Sequence, residues 1–163
     1  MKKILLAVVA IAIVAGVAVW QLPSAAKTAP EVQFTTLEGE QFTTDDLRGK
    51  VVLVKFWATS CVTCVAQMPD NIHNYNTLKD RGYDTIAVAM QYDPPNYVKN
   101  YAESRELPFK VVIDATGDIA REFGDVRLTP TAFLIDRQGN IIRRYLGNYD
   151  KDSFLATVNK ALG

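Results

Sequence analysis

The sequence predicts an α/β domain in which a central mixed β-sheet carries helices on both faces. Apolar, strand-like runs alternate with helical stretches from residue 51 to about residue 123, the pattern of parallel strands joined by crossover helices. The end of the chain then reads as a hairpin followed by one amphipathic helix, which adds antiparallel strands to the same sheet. The only two cysteines, Cys61 and Cys64, lie directly after the first of these apolar runs.

Composition fits one domain plus an extra segment. The 163 residues are 48% hydrophobic and 22% charged, ordinary values for a globular domain. The extra segment is at the front, where Met1-Lys2-Lys3 precedes an apolar run from Ile4 to Trp20. As a helix through Leu22 this run would span about 28 Å, enough to just cross a bilayer core, so residues 1–22 are expected to be a membrane anchor or signal segment. The run exceeds the length of a usual signal-peptide core, which favours an uncleaved anchor, although Ser24-Ala25-Ala26 offers a small-residue processing site. Lys2 and Lys3 would stay in the cytoplasm and place the remaining chain outside the cytoplasmic membrane, in the periplasm or outside the cell. Residues 23–30 then read as a linker and 31–163 as the folded domain. Basic residues are scattered rather than gathered into a patch, so nucleic acid is not an expected partner.

Taken in order, 32–37 and 41–43 turn through Glu38-Gly39-Glu40 as an N-terminal β-hairpin, and Asp45–Gly49 forms a helical turn ended by glycine. Residues 51–57 form the buried central strand. A helix follows from Cys61 to about Lys79, bent at Pro69 and closed by Arg81-Gly82, with Ser60 as its N-cap. Residues 85–91 are a second strand, and Pro94-Pro95 opens a helix to about Arg105 with Tyr97, Val98 and Tyr101 on its packed face. Residues 109–114 are strand-like, 119–123 form a short helix stopped by Gly124, 131–136 and 140–146 make the hairpin, and 153–162 close the chain as a helix.

The cysteine spacing points to redox chemistry. Unpaired backbone N–H groups and the helix dipole favour a thiolate at Cys61, whereas Cys64, one turn on, is more enclosed, so Cys61 is expected to attack and Cys64 to resolve. A structural zinc site needs about four ligands, and the chain offers two cysteines and one histidine, His73. Haem attachment needs a histidine after the second cysteine, where Val65 stands. No metal and no cofactor are therefore expected. The remaining alternative is a purely structural disulfide.

Several ordered motifs carry a family resemblance. The hairpin, Leu47-Arg48-Gly49-Lys50, the strand through Trp57-Ala58-Thr59, the cysteine pair, Met68-Pro69, Asp93-Pro94-Pro95 and Leu128-Thr129-Pro130-Thr131 together resemble the TlpA/ResA-like branch of the thioredoxin superfamily. The resemblance covers 31–163 and implies a thioredoxin-like fold with an N-terminal β-hairpin and a βα insertion. It implies an anchored, exported enzyme that reduces client proteins bearing cysteine pairs, in cytochrome c or copper-site maturation, with electrons from a DsbD-like transmembrane donor. It also marks Pro130 as cis, with Thr129 beside the dithiol as a client-binding position; Trp57 reads as a core-edge aromatic near the active site, and Ser60 adjoins Cys61.

The chain departs from the family at four positions. Ser60 stands where an aromatic residue is usual, which should open the rim around Cys61 and reduce apolar contact with partners, and Val62-Thr63 lacks the frequent proline. Lys55 occupies the place of a buried acid, and Gln67 that of a frequent glutamate. Lys55 is expected either to support thiolates by its charge or to bury only its stem and hold its amine in solvent. A thiol oxidase or isomerase and a Cu(I)-binding chaperone are the alternative functions. A peroxiredoxin is disfavoured because Ala58 and Val54 replace the threonine or serine and the proline it needs before the attacking cysteine.

Overall fold

The computed structural model describes residues 27–163; the expected anchor at 1–22 and the first part of the linker lie outside them. No helix among the described residues is long and apolar enough to cross a membrane.

The described chain begins in the sheet rather than in a linker. Lys27–Thr28 (β1) pairs antiparallel with Asn140–Leu146 (β8), so residues expected to connect the domain to the membrane instead cover a sheet edge. The expected first hairpin is Gln33–Thr35 (β2) with Gln41–Thr43 (β3). Phe34 and Phe42 stack across it, and Thr36 bridges to Val112, which seats the hairpin on the sheet.

The central strand is Val51–Trp57 (β4), and all seven of its residues are buried. It runs parallel to Tyr83–Ala89 (β5), which runs parallel to Lys110–Ile113 (β6), and antiparallel to Thr131–Ile135 (β7). The six-stranded order is β1-β8-β7-β4-β5-β6, a mixed sheet as expected. A strand buried on both faces needs apolar residues at successive positions, and that explains the near-continuous Val51–Trp57 run and the visibility of this element in the sequence.

Val62–Leu78 (α1) follows β4, and Pro95–Ser104 (α2), β6 and Asp118–Glu122 (α3) are inserted between β5 and β7. Lys151–Leu162 (α4) closes the chain, capped by Asp150, whose side chain accepts from the Ser153 N–H. On one sheet face Val52, Val54 and Phe56 pack with the hairpin and with Phe123 beyond α3. On the other, Val51 and Leu53 meet α4, while Trp57, Ala87 and Ala89 meet α1 and α2. Helices therefore cover both faces. β5 begins two residues earlier than expected because Tyr83 and Asp84 pair with Val51 and Val52.

Candidate active site

The two cysteines sit where β4 hands the chain to α1. They form a disulfide with Cα atoms 5.2 Å apart. Cys61 is partly exposed and Cys64 is fully buried beside Trp57 and Met68. The helix starts one residue later than expected. Cys61, not Ser60, is the N-cap, and its Sγ accepts the Cys64 N–H at 3.2 Å. The reason is local: the Cys61 N–H is already turned back to the Ala58 carbonyl, which leaves its side chain to meet the first helical turn. A sulfur in the capping position receives the N–H that would otherwise be an orphan, which favours its thiolate.

Antiparallel pairing brings the second site segment alongside. Thr131 of β7 lies opposite Phe56 of β4, so Thr129-Pro130 stands at the carboxyl end of the central strand, next to the cysteine turn. The Thr129–Pro130 bond is cis. Pro130 is held by its carbonyl, which accepts the Gly147 N–H at 2.8 Å, and Thr131 donates its hydroxyl to the Leu128 carbonyl at 2.6 Å.

Beneath this surface lies a buried amine. Lys55 is only 1% exposed, which excludes the expectation that its amine reaches solvent. Its Nζ donates to Gln67 Oε1 at 2.5 Å. The Gln67 amide is oriented by its other end, because Nε2 donates to the Gly147 carbonyl at 3.2 Å and to Asn148 Oδ1 at 3.1 Å. The amine therefore faces an uncharged oxygen. Burial strips the ammonium of its hydration and lowers the Lys55 pKa from 10.5 to about 7, with Asp70 opposing the shift. Asp70 is itself engaged with Lys151 at 2.7 Å, and the Tyr149 ring lies 6.0 Å from Nζ. Gln67 and Tyr149 open onto a groove of about 460 Å³ between α1 and α4, where His73 stands exposed. Two residues further along β4, Trp57 is wholly buried against Tyr101, with ring centroids 5.2 Å apart.

Other expectations change in detail. Tyr97 does not pack with Val98 and Tyr101; it is 58% exposed and lines, with Thr59 and Ser60, an open hollow next to the cysteine turn. Ser60 is exposed in the cysteine turn, and large apolar side chains are exposed nearby in the sequence or at the proline turn: Val62 follows Cys61, Leu128 precedes Thr129, and Tyr92 contacts Thr129. Sequence reasoning missed the role of Asp93. It is buried, and its carboxylate accepts both the N–H and the hydroxyl of Thr59, each at 2.6 Å. The available signal was an acidic residue between a buried strand and a Pro-Pro helix start, a place where a carboxylate must find donors or reach solvent.

Comparison with known proteins decides the family. The Redoxin family matches residues 24–162. The chain belongs to the Redoxin family. Within it the chain is a ResA-type thiol-disulfide oxidoreductase with its cysteine pair at Cys61 and Cys64. The ResA thiol-disulfide oxidoreductase of Bacillus thuringiensis subsp. konkukian is 34% identical over 134 residues, covering 82% of this chain and 76% of the relative. That of Geobacillus thermodenitrificans is 34% identical over 125 residues, covering 77% and 71%. Among solved structures, a thioredoxin-family thiol:disulfide interchange protein from Chlorobium tepidum superposes with a TM-score of 0.78 at 30% identity, over 86% of this chain and 99% of that one. The thioredoxin-like α/β fold and the enzyme class of this Redoxin member follow.

Proposed function

We propose that this Redoxin-family protein is an exported, membrane-anchored enzyme that reduces disulfides in client proteins. The observation that carries the reading is the asymmetry of the pair: a partly exposed sulfur capping α1 and a buried one a turn behind it. The Cys61 thiolate attacks a client disulfide, and one client sulfur leaves as a thiolate and takes a proton. Cys64 then gives up its proton and attacks Cys61 Sγ, releasing the second client sulfur, so two electrons and two protons pass to the client. In this reading Thr129 and Pro130, at the end of β7 beside the cysteine turn, pair through backbone groups with an extended client segment during the mixed-disulfide stage. A DsbD-like donor across the membrane would restore the dithiol, and apocytochrome c or copper-site proteins fit as clients.

The reducing direction has physical support. An oxidising dithiol protein is one whose thiolate is strongly stabilised. Here the stabilisation of Cys61 Sγ rests on a single N–H, that of Cys64, because the buried amine of β4, Lys55, carries little charge above neutral pH and adds little to it. Lys55 tunes the pair instead by responding to it: negative charge developing on the sulfurs draws a proton to the amine. The direction is tested by equilibrating the protein with defined glutathione ratios. A reduction potential of about −250 mV or lower is expected, and one above about −180 mV would make the protein an oxidase or isomerase.

The anchor reading rests on the Ile4–Trp20 run. After alkaline carbonate extraction of cells, the full-length protein is expected in the membrane pellet. Recovery of a shortened chain in the soluble fraction would instead mean a cleaved signal peptide.

A further inference from the structure

The loop between β5 and α2 makes contact with both halves of the site through two consecutive side chains. Asp93 takes both donors of Thr59, two residues before Cys61, with each bond at 2.6 Å. Its neighbour Tyr92 places its hydroxyl 3.2 Å from Thr129 Oγ1, one residue before cis Pro130. The loop itself is pinned, since the Met90 N–H donates to the Trp57 carbonyl at 3.0 Å and the Asp93 N–H to the Met90 carbonyl at 2.9 Å.

The two contacts differ in character. Asp93 is 2% exposed, and the bonds to its carboxylate given by the structure come from Thr59, so the carboxylate is committed to holding that turn. Tyr92 is 53% exposed, a large ring kept at the surface by one hydroxyl contact. A ring that served only packing would be buried. This one reaches the cis-proline turn through its hydroxyl, with Leu128 exposed beside Thr129, while its neighbour Asp93 holds the cysteine turn.

We propose that Tyr92 and Asp93 are positioning residues for client capture, a brace that sets the spacing between the segment presenting Cys61 and the segment ending in Pro130. This rests on the reading that a client strand pairs along Thr129 while its sulfur meets Cys61. The spacing matters for an extended protein segment, which must touch both sides. It matters little for a small disulfide, which needs only the exposed sulfur.

The brace is tested in the full-length protein with two substrates: insulin in steady state, with dithiothreitol restoring the dithiol after each turnover, and oxidised glutathione in a single turnover of the pre-reduced protein. Tyr92→Phe, which keeps the ring and removes the hydroxyl, is expected to raise KM for insulin about threefold with kcat unchanged, and to leave the glutathione rate unchanged. Asp93→Ala is expected to raise KM for insulin about tenfold or more, and Asp93→Asn, which can still accept the Thr59 N–H, to recover most of the loss. Equal losses on both substrates for Asp93→Ala, or no change in insulin KM for Tyr92→Phe, would overturn the proposal. A wild-type protein inactive on both substrates would instead overturn the redox function itself.

Discussion

Serine at position 64 is expected to stop the reaction at its midpoint. Cys61 is the sulfur with access to solvent, and Cys64 is enclosed by Trp57 and Met68. A Cys64→Ser protein should therefore still attack a client disulfide and then remain joined to it, because no second thiol is left to release the bond. On non-reducing gels the adduct is expected to accumulate stoichiometrically, and turnover to fall on the order of 10³-fold or more. Cys61→Ser should lose turnover to the same extent and form no adduct. The reverse pattern, with adducts through Cys64 in the Cys61→Ser protein, would assign attack to the buried sulfur and contradict the exposure argument.

Replacing Lys55 by methionine is expected to stabilise the oxidised protein at neutral pH. The folded-state pKa of Lys55 is depressed from 10.5 to about 7. Between those values the unfolded chain binds the extra proton and the folded protein does not, so stability must rise with pH across that window, by up to about 1.4 kcal/mol per pH unit. Below pH 7 both states are protonated and the full cost of the buried ammonium is present. Methionine removes that cost of a few kcal/mol but leaves Gln67 Oε1 without its donor, a loss of roughly 1–3 kcal/mol. The net gain at pH 7 is expected to be roughly 1–3 kcal/mol, and the rise between pH 7 and 9.5 to disappear. Denaturant titrations of the oxidised protein at the two pH values measure both. The same substitution should raise the Cys61 thiol pKa, because no amine remains to gain a proton as the thiolate forms. A destabilised variant that keeps the wild-type pH slope would show that Lys55 is not the titrating group, and an unchanged thiol pKa would remove it from the redox site.

The buried lysine also marks where sequence reading stopped. Its spacing from Cys61 singled it out, but the spacing was equally compatible with an amine in solvent, because a lysine stem can lie along an apolar surface with its head in water. The outcome was set by Gly147 and Asn148, 80 and 81 residues beyond Gln67, which turn the Gln67 oxygen toward the amine. Asp93 is a similar case. Its burial depends on Thr59 approaching from another strand end, a contact at a separation of 34 residues that no local pattern encodes.

What the sequence determined by itself is local chemistry and periodicity. The Val51–Trp57 run dictates a strand buried on both faces, the cysteine spacing after it dictates a disulfide at a helix start, and alternating apolar segments dictate the α/β layering. These follow because hydrophobic pattern and backbone preference act over a few residues. Only the tertiary structure decided that Lys27 and Thr28 belong to the sheet, that Lys55 is buried against an amide, and that Tyr92 and Asp93 tie the cysteine turn to the proline turn. Each of these is a hydrogen bond between groups brought together by strand register or loop packing. Such a bond satisfies a polar group that burial would otherwise penalise, and which partner supplies it is fixed only once the whole chain has folded.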